Sequence, residues 1–401
     1  MIDNRVPSNL MMTKMARDIM NLQYGMAEVQ EQIASGKKIN RPSDNPAQAA
    51  SLISMAETSS RLAQYERNSL TAESRLTLEE STITGTINAL NHIRELVLSS
   101  NNGSHDDMTR NTIDSEVRLR LDELFDLANT RDSNGDYLFS GSNTQSRPFA
   151  RSVPVTYSGS DDALSTSVGL GRTISIADSG ADVFMRIRNG NGDFSVSASS
   201  ANTGTGLVST GSVSDRTLYD STPYRIEFTS ANQFDIIDLD SGTAVQTGVA
   251  YQSRAKIEFA GISTNIIGTP AVGDSFDILP SANQDVFSTV SLFSDALTTT
   301  QETAADRAQF QQKLNETLLN IDNSLDHLNT ARAKIGNRLN SIDSGREENA
   351  SMSLQLEISR TDIEDVDIAE AVTSLQNKAS SLEIMQKMFV RVEGLTLFNY
   401  M

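Results

Sequence analysis

The sequence predicts an α+β protein: a long antiparallel helical bundle or coiled coil from the N- and C-terminal regions, with an inserted β-rich domain. Three observations carry this reading. Near both ends, apolar residues alternate spacings of three and four, the period of a helix with one buried stripe. From about 137 to 285 that period gives way to short alternating pieces, and 16 of the 23 glycines fall between Gly135 and Gly273. Aromatic residues make up only 5% and tryptophan is absent, which suits cores of Leu, Ile, Val, Met and Ala.

The first element is a heptad seam through Met12, Met15, Ile19, Leu22, Met26, Val29 and Ile33. It is short and rich in methionine, so alone it is marginal and needs a partner. The stretch "SGKKINRPSDNPAQAA" (35–50) ends it. Gly36 stands where a left-handed cap is expected, and Lys37 and Lys38 lie near the negative end of the helix dipole. Pro42 forces Arg41 out of helical geometry. Asn45 then fits an N-cap, with Pro46 at the first helical position and Gln48 three residues on. The stretch is a stop and restart between two helical regions.

The restarted helix carries Leu62, Leu76, Ile83, Leu90 and Val97, with Ile87 and Ile93 thickening the stripe. It breaks at "SSNNGSHDD" (99–107). A further helix through Ile113, Val117, Leu121, Leu124 and Ala128 ends at "TRDSNGDY", an Asn-Gly turn signal. Strand candidates follow: "VPVTYSG", "RTISIAD", "YRIEFTS", "QFDIIDLD", "AKIEFAG" and "DSFDILP", each bounded by turn residues. Helix returns after "PSANQDVFS", through Phe310, Leu314, Ile321, Leu325, Leu328, Ile335, Leu339 and Ile342, with Arg332 at one seam position. The last segment has Ile368, Val372, Leu375, Ala379, Leu382, Met385, Phe389 and Val392. The organisation expected is therefore 1–36 with 360–401 as terminal coiled-coil segments, flexible in the monomer. Residues 37–150 with 282–359 form a helical core, and 151–281 an outer β domain.

Of the 401 residues 38% are hydrophobic, enough for a real core, and the net charge is −19. Such a surface repels phosphate backbones and anionic membranes, so no nucleic-acid partner is expected. No window approaches a membrane span, so no membrane insertion is expected. The absence of cysteine excludes disulfides, a thiol nucleophile and Cys-ligated metals. "MIDNRVPSNLMMTK" lacks the basic start and apolar run of a secretory signal.

Candidate chemistry is sparse. His92, His105 and His327 have no partner at metal or triad spacing and read as surface or packing residues. "SGKK" lacks the frame of a phosphate-binding loop, and "DSNGD" and "NGNGDF" read as turns rather than calcium loops. The carboxylates of "TDIEDVDIAE" (361–370) cover every face of a helix and read as a helix start. No active site, metal or cofactor is expected. Apolar stripes at both ends that a monomer cannot fully bury point instead to self-association.

"SGKKINRPSDNPAQAA" resembles the turn of bacterial flagellins, and its Pro-Ser-Asp-Asn-Pro form resembles their hook-associated branch. "ARAKIGNRLNSI" and "SRTDIEDVDIAEAVTSLQNKASSLEIMQK" resemble the C-terminal region of the same family. "NGDYLFSGSNTQSRPF" (134–149), "VTYSGS" with "GRTISIADSGADVF", and the closing "LTLFNYM" resemble members at the junction of hook and filament. The resemblance implies an extracellular structural adaptor of the flagellum, secreted through the flagellar type III export apparatus. Its partners would be copies of itself in a helical array, the preceding hook-associated protein, flagellin and an export chaperone. It implies an assembly seam of Met15, Ile19, Leu22, Met26, Val29 and Ile33 against Val372, Leu375, Leu382 and Phe389. Gly36, Lys37, Lys38, Arg41, Pro42 and Asp44 form a candidate axial contact loop, with a purely internal connector as the other reading. The alternatives are a filament-forming flagellin, and a secreted adhesin using Tyr219, Tyr224, Phe228 and Phe234, which at strand spacing read better as core.

Overall fold

The computed structural model describes residues 8–101, 106–152 and 154–398. His105 and the closing residues 399–401 lie outside them. The chain forms two compact units, Met1–Arg67 with Gly345–Met401, and Asn68–Ser344. The expected organisation placed 37–67 and 345–359 with the helical core; here they fall with the terminal segments.

Six α-helices are present among the described residues: α1 Ser8–Ser35, α2 Pro46–Ser100, α3 Asp107–Ala128, α4 Val286–Leu297, α5 Ala304–Glu364 and α6 Ile368–Phe398. Their ends follow local chemistry. Gly36 takes φ +74° and its amide closes on the Gln32 carbonyl at 2.9 Å, ending α1. Asn45 Oδ1 accepts the Gln48 amide at 3.2 Å, capping α2 just ahead of Pro46. Asp106 and Asp285 cap α3 and α4 by accepting the amides of Thr109 and Ser288. Asp367 Oδ1 accepts the amides of Ala369 and Glu370 and so starts α6.

In the 68–344 unit, the helical core is the stripe that the spacing picks out. Leu76, Ile83, Leu90, Ile93 and Val97 of α2 are fully buried with Val117 and Leu124 of α3 and Leu314, Ile321, Leu328, Ile335 and Ile342 of α5. At the nominal seam position Arg332 is only half-buried, and its neighbour Ala331 turns inward instead. Apolar α4 is not resolved by the sequence pattern as a separate helix, yet Val286, Phe287, Val290 and Phe293 fill the same core. A phenylalanine cluster joins it to the loops: Phe125 stacks on Phe287 at 4.4 Å, Phe149 tilts against Phe287 at 5.3 Å, and Phe139 and Phe149 each pack edge to face on Phe184.

A buried polar network lies in the same unit. Arg75 donates to Asp132 Oδ2 at 2.6 Å and to the Tyr137 carbonyl at 3.0 Å, and Arg338 donates to Asp178 Oδ1 at 2.7 Å. Glu79, fully buried, accepts the Asp178 amide at 3.1 Å through Oε1, while Oε2 has no hydrogen-bond partner among the described residues. Burial, then the Asp178 charge, pushes the Glu79 carboxyl up to about 8, against the opposing pull of Arg338 and Arg75.

The β region opens with two small hairpins, β1 Phe149–Ala150 with β2 Thr156–Tyr157 and β3 Ser165–Gly169 with β4 Arg172–Ser175, then a π-helical turn at Ala181–Met185. The main module runs from β5 Ile187–Arg188 to β15 Asn283–Gln284, which pair with each other. Between them lie β6 Phe194–Ala198, β7 Leu207–Val208, β8 Ser212–Val213, β9 Tyr224–Ser230, β10 Gln233–Asp238, β11 Ala244–Ala250, β12 Lys256–Phe259, β13 Ile262–Ile267 and β14 Ser275–Pro280. One antiparallel sheet has the order β11-β10-β9-β14-β6; a second is β12-β13-β7, with β8 also on β13. Alternation decides the inner faces: Tyr224, Ile226 and Phe228 of β9 point into a core shared with Phe276, Ile278, Phe259 and Ile266. Tyr224, Phe228 and Phe234 are thus buried, and Tyr219 donates its hydroxyl to the Asp193 carbonyl at 2.8 Å. No exposed aromatic platform is formed by this group.

Candidate assembly interface

In the unit made of the chain ends, α1 and α6 lie side by side and antiparallel. Lys37 bridges Asp365 in antiparallel sense at one end, and Lys378 Nζ donates to the Gly25 carbonyl at 3.0 Å farther along. Gly25 leaves room there, since a β-carbon would meet the Lys378 amine at 2.8 Å.

The α1 seam is the less exposed side of the helix. Met15, Ile19, Leu22, Met26 and Ile33 are half-buried and Val29 is buried at 6% exposure. On α6, Leu375, Leu382 and Phe389 are likewise half-buried. Val372 differs from the expectation: it is 37% exposed, and the preceding Ala371, which the spacing argument passed over, is buried at 6%. Ile368 and Ala379, also on the expected α6 stripe, are exposed. The cause is that α6 carries apolar residues on several faces, so spacing alone does not single out one stripe.

Each helix also bears a second apolar pair on another face. Met20 and Tyr24 of α1 are 58% and 78% exposed; Ile384 and Met388 of α6 are 59% and 55% exposed. Both pairs stand four residues apart, so each forms one patch on its helix. Val390 of α6 and Met352, Leu354 and Ile358 of α5 are exposed as well. A two-helix pair buries one stripe per helix; this one has apolar surface left for further neighbours.

The connecting loop is held from the opposite side of the unit. Lys38 donates its amide to the Glu364 carbonyl at 2.6 Å, and Val366 donates to Gly36 at 3.0 Å. Lys37 pairs with Glu364, and Arg41 with Glu31 at 3.1 Å. Asp44 Oδ2 accepts the amides of Asn40 and Arg41, so the Pro42 corner is folded on its own hydrogen bonds. Arg41, Pro42, Ser43 and Asp44 stay exposed. The acidic run is shared out between these tasks, with Glu364 answering Lys37 and Asp367 capping α6. No group of three or more metal-ligating side chains occurs among the described residues. His92 stands beside Glu116 at 3.4 Å, and His327 Nε2 bonds the Asp182 carbonyl at 2.6 Å, a packing contact.

Comparison with known proteins fits this geometry. Residues 6–144 match the bacterial flagellin N-terminal helical region, and residues 197–280 match the D2-like domain of flagellar hook-associated protein 1. Flagellar hook-associated protein 3 of Escherichia coli (strain K12) is 23% identical over 397 residues, 98% of this chain and 99% of that one. The crystal structure of FlgL from Xanthomonas campestris superposes with a TM-score of 0.71 at 30% identity, over 76% of this chain and 98% of that chain. The flagellar junction protein FlgL from Legionella pneumophila gives 0.65 at 30% identity, over 71% and 96%.

Proposed function

The chain belongs to the flagellar hook-associated protein 3 (FlgL) family, and from that premise we propose that it is a structural adaptor of the bacterial flagellum, joining the hook-associated end of the hook to the filament. The observation that carries the reading is the α1–α6 pair with a second apolar face on each helix. Copies arranged head to tail in a helical array would cover Met20, Tyr24, Ile384 and Met388. Each such side chain contributes about 1.5–3 kcal/mol when fully buried. That gain offsets the ordering entropy of two long helices only when neighbours are present, so assembly and ordering of the chain ends are coupled.

On this reading the seam of Met15, Ile19, Leu22, Met26, Val29 and Ile33 with Leu375, Leu382 and Phe389 is the inner layer of the array. Gly36, Lys37, Lys38, Arg41, Pro42 and Asp44 form an axial contact, because Arg41 to Asp44 remain exposed beside a self-supporting turn. The preceding hook-associated protein and flagellin are the unlike neighbours, an export chaperone covers the C-terminal seam before assembly, and the route out of the cell is the flagellar export apparatus. The adhesin reading has little support, with Tyr224, Phe228 and Phe234 buried.

The test replaces Leu375 or Phe389 by Asp in cells that carry no other copy. The expected result is hooks without filaments, flagellin released to the medium, and an intact 68–344 unit in the purified variant. Filaments of normal number carrying the variant would overturn the seam.

A further inference from the structure

Five polar side chains stand along one face of α5: Gln309, Gln312, Glu316, Asn320 and Asn323, spaced three, four, four and three residues apart. Four of them grip main chain of the β5–β15 module. Gln309 Nε2 donates to the carbonyls of Ser200 and Asn202 at 3.1 and 2.7 Å. Gln312 Oε1 accepts the Val208 amide at 3.1 Å, and Asn320 Oδ1 accepts the Gly190 amide at 3.1 Å. Asn323 Nδ2 donates to the carbonyls of Arg188 and Gly190 at 3.2 and 2.7 Å. Carboxamides suit this task, because they both donate and accept and carry no charge to desolvate.

The middle rung is the exception. Glu316 Oε1 accepts from Gln312 Nε2 at 3.0 Å and holds no main chain of the module among the described residues. It lines a cleft of about 500 Å³ between the module and helices α4 and α5. Two other charged groups line that cleft: Asp295 from α4, and Lys313 from α5 itself. The strand side is uncharged, with Ser195, Ser197, Val208 and Leu279.

We propose that Glu316 is a proton-operated latch on this clamp: when its carboxyl is neutral the cleft closes and the module is held on α4 and α5, and when it is charged the cleft fills with water and the clamp loosens. A charged carboxylate in this half-buried position demands hydration, and the cleft has room for it. Burial pushes the Glu316 carboxyl up to about 7, against the opposing effects of the Gln312 hydrogen bond and the Lys313 charge. The closed cleft therefore holds a proton that the opened one releases: the latch is fully engaged below about pH 4.5, loosens as pH rises toward 7 and is released above it. The latch is independent of the assembly seam.

Hydrogen exchange of the Val208 and Gly190 amides in the full chain tests it, read from about pH 4.5 to 8.5 and corrected for base-catalysed exchange. Protection at both amides is expected to fall by up to about tenfold per pH unit as pH rises from about 4.5 toward 7, and to level off above that. E316Q, neutral at every pH, keeps the protection throughout. Lys313→Ala, at an exposed position, moves the loss to higher pH, and this variant with the wild type decides the matter should E316Q fold poorly. E79Q retains the wild-type profile. A flat wild-type profile, the same loss in E316Q, or abolition of the loss by E79Q would each overturn the latch.

Discussion

The unit of the chain ends and the 68–344 unit draw on the same residue types and use them in opposite ways. Among the described residues, the chain ends bury only Val29, Ala49, Leu62 and Ala371 of their apolar side chains, yet hold 13 of the 24 exposed large apolar ones. The 68–344 unit closes two cores in which Phe139, Phe184, Phe228 and Phe276 are fully buried. Charge differs too. The chain ends carry 13 basic and 17 acidic residues, against 20 and 35 in the other unit. Copies that pack through the chain ends thus meet little mutual repulsion, while the rest keeps a strongly acidic surface. One unit satisfies its own side chains; the other is left to be satisfied by neighbours.

The sharpest way to break this contrast is a pair of alanine substitutions. Phe287→Ala removes a ring at the centre of the phenylalanine cluster and is expected to cost about 3–5 kcal/mol in denaturant unfolding of the purified monomer. Phe389→Ala, on the half-buried seam, should cost under about 1 kcal/mol by the same measurement while reducing incorporation into flagella. Equal losses in the monomer would erase the distinction.

A smaller effect belongs to the buried network of the 68–344 unit. Because the folded Glu79 carboxyl lies far above its unfolded value, the fold binds a proton that the unfolded chain releases. Its contribution is fully present below about pH 4.5 and is lost as pH rises toward 8, by up to about 1.4 kcal/mol per unit. Glu316 acts in the same direction up to about 7. E79Q is therefore expected to level the stability profile between pH 7 and 8, where the wild type still declines. An unchanged slope in urea titrations at those two pH values would count against the assignment. The smallest effect is local: Asn45→Ala removes the cap of α2, worth about 1 kcal/mol. It should speed amide exchange in the first turn of that helix and leave the unfolding midpoint of the 68–344 unit where it is.

How far the sequence reveals these features depends on how singular each local pattern is. The α1 seam is legible because its other faces are mostly polar. On α6 the choice between Ala371 and Val372 is not, because residues 382–392 are apolar nearly all round. Strands β9 and β10 alternate cleanly and stand out, whereas β11, "AVQTGVA", lies exposed at a sheet edge and has no buried face to impose a period. Helix α4 reads "VFSTVSLFSDAL", with the β-branched and aromatic content of a strand, and only its Asp285 cap and burial in the core make it helical. The clamp on α5 is visible as a polar stripe at helical spacing, but such a stripe ordinarily marks a solvated face. What identifies it is the unpaired main chain of a module more than a hundred residues earlier, information that no local window contains.

The pairing of β5 with β15 gives the molecule a property of another kind. Arg188 and Asn283 are direct antiparallel partners, so the chain leaves for the module and returns from it at adjacent points. Everything between them is a closed excursion whose length is free to change without altering the spacing at its base. A two-residue turn would bridge that gap as well as the present 94 residues do, and so would any domain whose ends meet. The match of residues 197–280 to a domain of a different hook-associated protein is what a detachable module would leave behind. The site is a natural socket, at which cargo can be exchanged while the helical body keeps its own core.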